Sequence, residues 1–284
     1  MKYIVNHYKF VLGLLLASLI YSCENSNKST VIENDTITET SIIDSTRIRF
    51  RNLISKMPIP FETLKSFSAA KTRFNANLLN NPKNTEAYNS NRIQALNLGI
   101  YGADLAYLIA QDKLNEAEPF LKSIRRLSDA IVVPTAFNGA VIDRYEANIN
   151  KKDSLQHLVQ QSFQKIDNTL QENDRIEQAS LVLAGGWIES VYLTVQSIEK
   201  SDPNQKKQVL IDILALQRSY LNNITELIGS FQDDSVSVKL YSDLLIIKKI
   251  FPKKIGGNKK KIIPDFQILQ QQITITRNRI IKIK

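Results

Sequence analysis

Cysteine and histidine are nearly absent from this chain of 284 residues, which has Cys23 alone and two histidines, His7 and His157. A single cysteine excludes an intramolecular disulfide, a redox pair and a cysteine-based zinc site, so stability must come from packing. His7 lies in the leading segment, which leaves His157 in the body and excludes metal sites built on several imidazoles. Oxygen-only cation sites stay open, but no metal site and no cofactor is assigned. Asp153, Ser154 and His157 are triad residue types within one helical turn. A triad needs its nucleophile, base and orienting group to converge from separate elements, so Asp153 reads instead as a helix N-cap and His157 as a surface or boundary residue. Gly256-Gly257-Asn258 and the three lysines that follow lack the spacing and the Ser or Thr of a phosphate-binding loop. Alternating apolar runs with hairpin turns are missing before the last segment, as is a solenoid period of about 34 residues.

Acidic residues are scarce at one end only. The formal charge is +9, yet residues 248–284 hold eleven Lys and Arg against Asp265 alone. Lys2 and Lys9 sit in the leading segment, so residues 24–247 carry a net charge of −3. A nucleic-acid function requires a basic face on the folded body, which this balance does not supply. The basic end instead suits an envelope protein or anionic lipid as partner.

What is present begins with a targeting signal. Lys2 and Lys9 form a positive region and Phe10 to Ile20 an apolar run too short to span a bilayer. Leu19-Ile20-Tyr21-Ser22-Cys23 then resembles a bacterial lipobox, which implies cleavage after Ser22, acylation of Cys23 and a lipid-anchored protein of the outer membrane. Residues 24–46 are rich in Ser, Thr, Asn and Glu, a composition that cannot offset its ordering entropy. The expected organisation is a signal peptide over 1–22, lipidated Cys23 and a flexible tether over 23–57, a helical domain over 58–250, and a basic loop with a C-terminal helix over 251–284.

Apolar residues recur at helical spacing through most of the remainder. Asn80-Asn81-Pro82 marks a stop, a helical period runs from about Asn84 to Val133, and Asn115 with Glu118 has the spacing of a capping box. The last segment, Phe266 to Ile283, fits a helix, although Ile273-Thr274-Ile275-Thr276 also suits a strand. The fold class is therefore all-α, a compact bundle of about nine or ten helices in antiparallel pairs.

Two runs stand out as its centre. Leu98 to Leu108 and Leu183 to Leu193 echo each other at an offset of 85: Gly99 aligns with Ala184, Asp104 with Glu189, and Tyr107 with Tyr192. Glycine inside a helix costs about 1 kcal/mol relative to alanine, so Gly99, Gly102, Gly185 and Gly186 predict a compensating close approach. An acid on such an apolar helix must be paired, hydrogen-bonded or working. Asp104 and Glu189, with Tyr107, Tyr192 and Trp187 around them, are the candidate ligand or structural polar cluster. If the cluster is structural, Arg92, Arg125, Arg126 or Arg144 is the expected partner.

The lipobox, the Asn80-Asn81-Pro82 turn, the run Leu98 to Leu108, Asp153-Ser154-Leu155 and Leu183 to Ser190 together resemble a group of all-helical lipoproteins of Bacteroidetes-type bacteria that has no established activity. The resemblance implies fold and location and no mechanism. Two functions follow as expectations. The first is a lipid-anchored binding or scaffold module without catalysis. The alternative is an enzyme or small-ligand receptor with a cleft around Asp104 and Glu189.

Overall fold

Helix is the only regular structure among the described residues of the computed structural model, which are 39–57, 67, 68, 70, 72–131, 139–148, 151–199, 207–251 and 259–282. The signal and Cys23 lie outside them. The α-helices are α1 (Glu39–Ser55), α2 (Asn91–Ala110), α3 (Glu118–Ala130), α4 (Gly139–Glu146), α5 (Lys152–Glu172), α6 (Ile176–Glu199), α7 (Lys207–Gly229), α8 (Ser235–Ile250) and α9 (Lys259–Lys282). Short 3-10 turns at Ala76–Leu78, Pro82–Ala87 and Leu114–Glu116 link them. The fold is all-α, and residues 43–284 pack as one unit.

Several local expectations change. The segment read as a tether is helical from Glu39 onward, and Ile54 and Met57 at its end are buried. Arg47 pairs with Asp174 at 3.1 Å and Arg49 with Glu226 at 2.5 Å, so interactions with the turn after α5 and with α7 offset the ordering cost that composition alone does not meet. The N-cap of α2 is Ser90, whose hydroxyl accepts the Ile93 N–H, and Asn81 caps the 3-10 turn at Pro82. The predicted capping box does not form, because α3 begins after Ala117 without a side-chain cap. Asp153 is likewise not a cap: Lys151 takes that position and Asp153 stands in the first turn, where its charge complements the helix dipole. In α9 the buried residues Leu269, Ile273, Thr276 and Ile280 recur at three and four, which resolves the last segment as helix; Ile275 faces outward at 59% exposure.

Helices α2 and α6 form the centre. Both are long and apolar enough to cross a membrane, but 94% and 83% of their apolar windows are buried within the protein itself. Their contacts advance together along both chains: Arg92 meets Glu177, a Cβ on Gly99 would lie 2.6 Å from the Gly186 nitrogen, and Asp104 meets Glu189. The pair is therefore parallel and in register at the offset of 85, which corrects the antiparallel expectation at this crossing. The sequence echo is the register of two helices lying side by side.

The rest of the chain repeats around that pair. α2 is followed by α3, α4 and α5, and α6 by α7, α8 and α9. α3 packs on α2 as α7 packs on α6, and both α5 and α9 touch both central helices. The C-terminal helix is thus part of the core rather than an appendage to a domain ending at 250.

Candidate functional site

Burial on α2 and α6 leaves no solvent contact for their acids: Asp104 and Glu189 are both 0% exposed. An unpaired carboxylate there would be prohibitively costly. The partner of Glu189 is Arg277 on α9, which forms a bidentate pair with Nε donating to Oε2 at 2.9 Å and Nη2 to Oε1 at 3.0 Å. Arg277 Nη2 also donates to the Leu78 carbonyl at 2.9 Å, and its guanidinium lies 4.7 Å from the Tyr192 ring centroid. Burial opposes the Arg277 charge, but Glu189 and then Asp104 outweigh it and raise the guanidinium above its usual pKa.

None of the expected arginines fills this role. Arg92 pairs with Glu177 at 2.6 Å and Asp233 at 3.0 Å, Arg125 lies 4.0 Å from Asp129, and Arg126 lies 3.5 Å from Glu86. The Arg144 side chain is exposed on α4.

Asp104 is held differently. Its Oδ2 accepts the Asn80 N–H at 3.0 Å, while its enclosed Oδ1 has no hydrogen-bond donor among the described residues. Complete burial and then the neighbouring Glu189 charge push its pKa well above the ordinary range, and Arg277 and the Asn80 N–H only partly oppose them. A protonated Asp104 resolves the geometry, since its O–H can point toward Glu189, which only accepts. Around it, Asn80 Nδ2 donates to Tyr88 Oη at 3.1 Å, Asn84 Nδ2 to Asn80 Oδ1 at 2.8 Å, and Tyr101 Oη to the Asn81 carbonyl at 2.9 Å. Tyr88 Oη reaches the Ile281 carbonyl at 3.2 Å. The network fastens the segment 78–88 to α2, α6 and α9.

Tyr192 belongs to this cluster; Tyr107 and Trp187 do not. Tyr107 accepts the Asn75 N–H at 3.2 Å and packs its ring against Phe67 and Phe74. Trp187 turns to α7, donating Nε1–H to the Gln217 carbonyl at 3.1 Å with its ring beside Phe251.

The raised pKa of Asp104 has a definite sign in stability. Unfolded, the carboxyl loses its proton near 3.8; folded, it keeps it to higher pH. Between those values the native state binds more protons, so this group's contribution falls as pH rises. Asp104→Asn mimics the protonated acid, accepting from Asn80 and donating toward Glu189. Its melting temperature relative to wild type is therefore expected to climb from pH 5 to pH 9. Thermal melts across that range check this, and a difference that is flat or declines would contradict a protonated Asp104.

An open cleft lies elsewhere. About 650 Å³ of space opens between α1 and α5 above a floor from α2 and α6, and Asp104, Glu189, Tyr107, Tyr192 and Trp187 are not among its lining residues. Its floor includes Gly99, Val182 and Leu183; its walls carry Arg51, Asn52, Gln160, Phe163, Gln164, Asp167 and Asn168. Burial raises the Asp167 pKa, opposed by a hydrogen bond from Gln171 at 2.8 Å. Sequence reading passed over these residues because exposed Gln and Asn on an amphipathic helix look like an ordinary solvated face.

No family model, no curated protein and no solved structure matches this chain.

Proposed function

We propose that this is a lipid-anchored protein of the bacterial outer membrane whose helical body is a binding or scaffold module. The observation that carries this reading is the enclosure of Asp104, Glu189 and Arg277 in one buried network. A catalytic acid pair needs access to substrate, whereas these groups are spent on each other and on backbone atoms. That arrangement opposes the alternative of an enzyme or receptor cleft around the two carboxylates. The lipobox-like run ending at Cys23 supports the anchor, as does the resemblance to helical lipoproteins. The basic C-terminal end, with Lys248 and Lys249 exposed in the last turn of α8, suits contact with an envelope protein or anionic lipid.

Metabolic labelling with a fatty-acid analogue tests the anchor. Wild type should label and enter the membrane fraction, and Cys23→Ser should do neither. Equal labelling of the two would remove the anchor. A pull-down of the anchored protein from its native membrane tests the module, and recovery of no partner under crosslinking would count against it.

A further inference from the structure

The cleft between α1 and α5 carries polar groups that neither the helices nor the buried network uses. On α5, Gln164, Asn168 and Gln171 follow one another at four and three residues, which sets them along one face. Asn52 faces them from α1. Gln171 is committed to Asp167, but the side chains of Asn52, Gln164 and Asn168 make no hydrogen bond to a described residue. Two walls thus present free carboxamides across a floor of Gly99, Val182 and Leu183. The volume, about 650 Å³, is that of a small-molecule site.

The chemistry of the walls selects a ligand class. A carboxamide offers two donors and one acceptor at once. A purely apolar chain in this cleft would desolvate those groups without replacing their hydrogen bonds, which is unfavourable. A cationic ligand would meet Arg51 and Lys56 on the α1 wall, against the single carboxyl of Asp167 on α5. Hydroxyl and acetamido groups offer the same mixture of donors and acceptors as the walls, and the C–H face of a sugar ring matches the apolar floor. We propose that this cleft binds a short N-acetylated saccharide, with Asn52, Gln164 and Asn168 as the hydrogen-bonding residues. This rests on the binding-module reading and deepens it by naming the site and the ligand class.

Calorimetric titration of the full-length chain in detergent tests the assignment. The probes are the trimer of N-acetylglucosamine, its de-acetylated trimer, a glucose trimer and palmitate. The acetylated trimer should bind, and the de-acetylated one more weakly. Gln164→Leu and Asn168→Leu should each weaken it by about tenfold, the effect of one lost hydrogen-bonding side chain, with unchanged melting temperature since both positions are exposed. Failure of the acetylated trimer to bind at millimolar concentration would overturn the proposal. So would binding that both variants leave intact, or a preference for palmitate. The pull-down from native membrane uses no saccharide, so a partner recovered there alongside a failed titration would remove the ligand class and leave the binding module standing.

Discussion

Arg277→Met is expected to cost about 3–5 kcal/mol of stability, the usual penalty for stranding one charge of a buried ion pair. Glu189 is 0% exposed and would be left facing Asp104, another acid, without its cationic partner. The variant also removes the donor to the Leu78 carbonyl, which helps hold the segment 78–88. Arg277→Lys should recover only part of the loss, because one ammonium cannot reproduce the two parallel bonds of the guanidinium fork. Glu189→Gln in the Arg277→Met background should recover more, since it deletes the stranded charge while keeping the shape. Urea unfolding of wild type, Arg277→Met, Glu189→Gln and the double variant makes a double-mutant cycle whose coupling should exceed about 1 kcal/mol, beyond the error of additivity. Arg277→Met as stable as wild type would overturn the buried pair as a source of stability.

The same arginine shows where sequence reading ran out. The apolar period located the helices, because it is a property of one helix at a time, and the glycines with the echo at 85 pointed to the central pair. Arg277 lies 88 residues from Glu189, and no local rule joins them. A signal was nevertheless present: Arg277 stands four after Ile273 and three before Ile280, on the buried stripe of α9, where a cation requires a buried acid. The wider cluster was misgrouped for a geometric reason. Trp187 precedes Glu189 by two residues, and helical residues two apart do not share a face, so the indole turns to Gln217. The antiparallel expectation holds for helices joined by short turns. It does not bind α2 and α6, because α3, α4 and α5 intervene and leave the chain free to return in the same direction. The cleft was illegible because its walls come from helices more than 100 residues apart, as the 120-residue separation of Arg51 and Gln171 shows.

Gly99→Ala and Gly185→Ala should each destabilise the protein by about 3 kcal/mol or more, at or beyond the upper end of ordinary overpacking. Alanine is the better helix former by about 1 kcal/mol, so a glycine in a helix interior that faced open space would stabilise on this change. Here the space is closed by backbone. A Cβ on Gly99 would sit 2.0 Å from the Val182 carbonyl oxygen, and one on Gly185 1.9 Å from that of Leu96. Neither oxygen can rotate aside as a side chain would, so relief requires α2 and α6 to separate along their whole contact. That movement would also loosen Asp104 against Glu189, a few residues further along the same parallel pair. Gly229→Ala provides the control, because its Cβ would meet only the edge of the half-buried Tyr241 ring at 2.8 Å, a group able to swing. Its melting temperature should stay near that of wild type, while Gly99→Ala and Gly185→Ala should fall by roughly 6–12 °C for a domain of this size. If Gly99→Ala melted at or above wild type, the crossing would be looser than the structure places it and the register at 85 would lose its physical basis.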